Sequence, residues 1–170
     1  VDATTALNII AGYEDGSFHP ERNIKRSEMC KMICIALNGG KEPATSTKDD
    51  PTFTDIGGHW AEGYIEYCYA KGVVSGVGGG RFNPDGNVTV TQAAKMLLVA
   101  LGYNADVELF NGTNWALYVN VKANQDGIYE GLEAIDTAAA LTRDQAAQMI
   151  WNTLQTVITV KTSSIDVTTG

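Results

Sequence analysis

The feature that most constrains this chain is that it resembles itself. Gly12, Gly16, Phe18, Pro20 and Ile24 recur, with no gap and at an offset of 64, as Gly76, Gly80, Phe82, Pro84 and Val88. The match runs on through Met32 and Met96. Cys30, Ile33, Cys34 and Leu37 align in the same register with Ala94, Leu97, Leu98 and Leu101, the i, i+3, i+4, i+7 stripe of an amphipathic helix. A weaker third copy follows. Trp115, Ala116, Gly127 and Gly131 align with Trp60, Ala61, Gly72 and Gly76 at an offset of 55. After a loop two residues shorter, Met149 aligns with Met96, and Ala147, Ile150, Trp151 and Leu154 continue the stripe.

Each copy reads as helix, turn, loop, helix. The units are expected at residues 1–40 (partial, with only a short first helix in 1–7), 53–102, and 113–156 (degenerate). A tail of β-like composition at 157–170 is either a short strand or the start of a following domain. The stretch 38–52 between the first two units is rich in breakers and polar residues and reads as a linker. In 102–113, Val107, Leu109 and Phe110 are candidates for packing. One helix pair cannot bury its apolar stripe alone. The expectation is therefore one cooperative all-α body, with three helix-turn-loop-helix units packed around a central helical bundle in pseudo-threefold fashion.

Charge narrows the partners. Twelve Lys+Arg against twenty Asp+Glu give a formal charge of −8, which disfavours nucleic acid and anionic lipid. No apolar run approaches the roughly 20 residues of a membrane-spanning helix. An acidic ligand would need a local basic pocket. The chain starts at Val1 without Met or a visible signal peptide, as a processed or excised fragment would.

Few residues suggest chemistry. Cys30 and Cys34 have metal-compatible spacing, but their repeat partners Ala94 and Leu98 are core residues, so all three thiols, Cys68 included, are read as core. His59 has Asp55 as a candidate cap or partner, but no nucleophile or metal site accompanies it. Asn83, Asp85, Asn87, Thr89 and Thr91 alternate like calcium ligands, yet Val88 and Lys95 occupy the positions where an EF-hand needs Gly and Glu. No catalytic, metal or cofactor site is expected. The segments opening each second helix are more informative. Thr89 with Gln92, and Thr142 with Gln145, form capping-box pairs. Arg26 and Arg143 oppose the helix dipole there, and two explanations stand side by side: an internal ion pair, or contact with an acidic ligand.

Taken together, these residues resemble the S-layer homology family. Copy two carries Phe53, Asp55, His59, Trp60, Ala61, Gly72, Gly76, Phe82 and Pro84 of its pattern. Copy one carries Gly12, Asp15, Gly16, Phe18, Pro20, Ile24, Arg26 and Glu28, and copy three Trp115, Ala116, Gly127, Gly131, Leu141, Thr142 and Arg143. The resemblance spans about residues 5–155. It implies a secreted, non-catalytic module at the bacterial cell wall. Such a module binds an anionic secondary cell-wall polysaccharide or another peptidoglycan-linked polymer, including pyruvylated ones, through grooves between repeats. Other surface-layer subunits are a further implied partner. The implied ligand-binding residues are Arg26, Glu28, His59, Trp60, Arg143, Trp115, Gly12 and Gly76, with an indole lying against sugar. Val90 and Gln92 replace the family's Arg and Glu in copy two, so one or two grooves are expected to be competent. Arg26 is expected to pair with Trp60 and His59. The alternative is a degenerate scaffold serving as a structural or protein-interaction domain.

Overall fold

A computed structural model describes residues 17, 19–132 and 134–163, with side chains through Thr156. Among the described residues five helices form: α1 Arg26–Leu37, α2 Glu62–Ala70, α3 Val90–Ala100, α4 Trp115–Gln125 and α5 Arg143–Ser163. The fold is all-α, as expected. Gly12, Asp15, Gly16, Phe18 and the expected short helix at 1–7 lie outside the described residues.

Helices α1, α3 and α5, the second helices of the three units, touch one another pairwise and form the centre. Their stripes supply Cys30, Ile33, Cys34, Ala94, Leu97, Leu98 and Ile150 to one continuous core. The outer helices pack across the unit boundaries: α2 lies on α1, and α4 on α3. Thus the first helix of each of these units covers the second helix of the unit before it. The units interlock, so their apolar stripes are buried only when neighbours are present.

A closed circuit of backbone hydrogen bonds ties the three units together. Ile24 N–H donates to Leu141 O (2.8 Å), Leu141 N–H to Val88 O (2.9 Å), and Val88 N–H to Ile24 O (3.1 Å). These residues occupy the same position in each copy, and all three are fully buried. The bridges between 23 and 142, 25 and 87, and 89 and 140 extend the circuit outward. Each central helix then has its first two N–H groups satisfied by the loop of the next unit. Arg26 and Ser27 donate to Gly86 and Pro84, Val90 and Thr91 to Ala139 and Thr137, and Arg143 and Asp144 to Arg22 and Pro20. The third N–H is capped from within in α3, where Thr89 Oγ1 accepts from Gln92, and in α5, where Thr142 Oγ1 accepts from Gln145. The orphan donors of these helix starts are therefore met by repeat geometry.

The outer helices end alike. Gly72 (φ 72°) and Gly127 (φ 73°) adopt the left-handed conformation that stops the helix. The following N–H groups, of Val73 and Ile128, reach back to Cys68 O and Ala123 O. The linker is bound as well. Glu62 accepts from Lys48 N–H and Gly58 N–H, and Glu66 from Thr52 N–H, Thr52 Oγ1 and Lys48 Nζ. In 102–113, Phe110 is buried while Val107 and Leu109 are exposed.

The tail departs from expectation. Helix α5 continues to Ser163, so 157–163 is not a strand. Once a helix is nucleated, each further residue adds a hydrogen bond, and β-branched residues subtract only tenths of a kcal/mol each. A strand would need a partner.

Candidate functional site

A groove of about 610 Å³ opens between the units. Its walls are Arg26 at the start of α1, the turn 72–77 that follows α2, Gln92, Lys95 and Met96 on α3, Phe110 and Asn111 from the loop, and Trp115 at the start of α4. All three units contribute. The volume falls within the range of small-ligand sites.

Arg26 lines the groove and is 8% exposed. Its Nε donates to Phe82 O (2.9 Å) and its Nη2 to Ser75 O (3.1 Å), while Cζ sits 4.5 Å from the centre of the Phe82 ring. Among the described residues no internal ion pair forms at Arg26; two of its donors go instead to carbonyls of the neighbouring unit. Burial pushes its pKa down, against upward pulls from Cys30 and Asp55. Gly76 must be glycine for a steric reason. A Cβ there would lie 2.7 Å from Arg81 O and 2.8 Å from the Phe53 ring.

Trp115 and Lys95 both line the groove, with Lys95 Nζ over the indole at 5.6 Å from the ring centre. Lys95 Nζ donates to Asn111 Oδ1 (2.7 Å), and Asn111 Nδ2 donates to Asp106 Oδ1 (2.7 Å). Burial pushes the Lys95 pKa down, and Asp106 pulls it back up.

The expected pairing of Arg26 with Trp60 and His59 is not what this groove holds; Trp115, the repeat equivalent of Trp60, stands in that place. The first helix of a unit covers the second helix of the preceding unit, so the indole is supplied one unit further along than the linear reading suggested. Trp60 is 56% exposed and neighbours His59 and Tyr64. His59 Nδ1 accepts from Ala61 N–H (3.1 Å), which caps the chain entering α2, and its Nε2 lies 3.6 Å from Asp85. Asp55 is not its partner. It accepts from Phe82 N–H and Asn83 N–H (2.8 Å each), fastening the Phe-x-Pro loop.

Glu28 accepts from Lys25 N–H (2.8 Å), which is half of a capping box because Lys25 has no oxygen to offer in return. Arg143 is buried at the start of α5, where its N–H donates to Arg22 O. Val90 fills the equivalent place on α3 and is fully buried. Gly12 lies outside the described residues. The cysteines are core: Cys34 and Cys68 are buried with sulfurs 3.4 Å apart. Among the described residues no cluster of three or more His, Cys, Asp or Glu is placed to hold a metal, and no helix is long and apolar enough to cross a membrane.

Sequence reasoning missed Lys95 and Asn111 as groove residues. The signal for Lys95 was present, since Lys31 and Lys95 align at the same offset of 64 as the rest of the repeat.

Interlocked helical repeats with an aromatic and cationic groove between them define a tandem-repeat binding module. The S-layer homology domain matches residues 1–30 and 52–94, and the chain is an S-layer homology domain protein. The third unit lies outside the matched residues. The chain is 32% identical over 129 residues to the Cell surface protein of Thermoanaerobacter kivui, covering 75% of this chain and 16% of that one. It is 33% identical over 95 residues to the Cellulosome-anchoring protein of Acetivibrio thermocellus, covering 55% and 21%. It is 27% identical over 151 residues to the Middle cell wall protein of Brevibacillus brevis, covering 88% and 14%. The chain thus spans about a fifth or less of each of these relatives.

Proposed function

We propose that this chain is a non-enzymatic module that anchors a larger protein to the bacterial cell wall. It does so by holding an anionic secondary cell-wall polysaccharide in the groove between Arg26, Gly76 and Trp115. The observation that carries the reading is the groove itself: an indole and two cations on concave walls built from three repeats, in a chain of formal charge −8. An indole face suits the apolar C–H side of a pyranose. Cations beside it suit a carboxylate such as that of a pyruvate ketal. Relatives named for cellulosome anchoring and for the cell wall support the same role and location.

The test is co-sedimentation with purified sacculi before and after extraction of the accessory polysaccharide. Wild type is expected to sediment with intact sacculi and to remain in solution after extraction, and Trp115→Ala is expected to lose most of the binding. Failure of wild type to sediment with intact sacculi would overturn the reading. A second reading, a scaffold for protein interaction, draws on Val90 in place of the motif arginine. It predicts no loss of sedimentation on polysaccharide extraction.

A further inference from the structure

We propose that Lys95 is the residue that reads the ligand's charge, its ammonium taking the carboxylate of an acidic pyranose laid against Trp115. In this arrangement Arg26 braces the groove without being the primary anion contact. The inference rests on the anchoring reading for its polymer, but its chemistry is testable with a monosaccharide.

Two cations line the groove, and they are committed differently. Arg26 spends its Nε and Nη2 on Phe82 O and Ser75 O and lays its guanidinium on the Phe82 ring. Those bonds hold the turn 72–77, through Ser75, and the loop at Phe82 against the start of α1. Lys95 lies over the Trp115 ring and donates one hydrogen bond, at 2.7 Å, to the neutral amide of Asn111. Asn111 is oriented by its own bond to Asp106, which turns its oxygen toward the ammonium. An ammonium has three donors, and the amide takes one. Among the described residues no carboxylate lies within ion-pair distance of Lys95. Its place on a concave wall lowers the local dielectric and strengthens attraction for an anion.

The preceding repeat provides an internal control. Lys31 stands at the equivalent position of α1, also 5.6 Å from an aromatic ring centre, that of Tyr64. There Glu42 neutralises it at 2.9 Å. The same lysine is thus consumed by an internal ion pair in one unit, while in the next, where the groove opens, it forms no ion pair among the described residues. Burial pushes the Lys95 pKa down, and the carboxylate that pulls it back, Asp106, is hydrogen-bonded to Asn111 and not to the ammonium.

The experiment titrates sodium glucuronate, with glucose as the uncharged control, into wild type, Lys95→Gln and Lys95→Arg, following the indole N–H resonance of Trp115 by NMR. Wild type is expected to show saturable shifts with glucuronate that glucose does not reproduce and that weaken with salt. Lys95→Gln is expected to lose about tenfold in affinity, the worth of one charge-assisted hydrogen bond, and Lys95→Arg to recover most of it. Equal glucuronate affinity in wild type and Lys95→Gln, equal response to glucose, or no response in wild type would each overturn the proposal. The sacculus assay separates the two readings. If Lys95→Gln sediments as wild type does, Lys95 is refuted and anchoring stands. If glucuronate binds through Lys95 but wild type leaves sacculi untouched, anchoring fails alone.

Discussion

An arginine opening a helix looks like an electrostatic error when read from sequence, because a cation there opposes the dipole. Arg26 shows how the error is absorbed. Its side chain leaves its own helix and serves as donor to two carbonyls of the neighbouring unit, with an aromatic face beneath it. Removing it leaves Phe82 O buried without that donor. Arg26→Ala is therefore expected to lower stability by about 2–4 kcal/mol in urea unfolding, with Arg26→Lys recovering part of that, since one ammonium lacks the planar fork. The residue's importance was legible in the sequence as a repeated anomaly. Its partners were not, because carbonyl acceptors carry no side-chain signature.

At the scale of elements, the linker 38–52 reads as a polar breaker segment, and nothing in its sequence says that it is tied down. Buried Glu62 and Glu66 on α2 do the tying. For Glu66, burial pushes the pKa up, but hydrogen bonds from Lys48 and Thr52 outweigh it and hold the carboxyl below its ordinary value. A carboxylate whose folded pKa is depressed adds stability that is present above its unfolded pKa and lost as the pH falls through the folded one. Urea midpoints are therefore expected to drop between about pH 6 and about pH 3, and Glu66→Gln to show a shallower drop with a lower starting value at pH 6. Lys48 is half exposed, so solvent screening keeps its share of the effect modest. The tail makes the opposite point. Its β-like composition suggested a short strand or the start of a following domain, and the helical context of α5 prevailed over the strand as far as Ser163.

At the scale of the whole molecule, the closed circuit of Ile24, Val88 and Leu141 joins the three units through their backbones, so they are expected to unfold together. Breaking it at any point should be felt everywhere. Leu141→Ala is expected to cost about 2–4 kcal/mol. Fluorescence of Trp60 and of Trp115, each isolated by replacing the other tryptophans with Phe, should then report the same shifted unfolding midpoint. Non-coincident transitions would mean that the units unfold independently. The groove exists only at this scale, since Arg26, the turn 72–77 and Trp115 come from three different units.

The periodicity of apolar residues, the caps Thr89 and Thr142, the stop glycines Gly72 and Gly127 and the repeat offsets are local patterns, and local physics ties them to helices, turns and a three-unit body. The sequence alone was sufficient for these. It was not sufficient for which indole shares a groove with which arginine. That depends on α4 packing on α3, and α2 on α1, across unit boundaries, a choice made by mutual burial of stripes that look alike in every copy. Nor did it reveal that Lys31 pairs with a carboxylate while Lys95 bonds an amide, because Glu42 and Asn111 become neighbours of those lysines only when the chain folds.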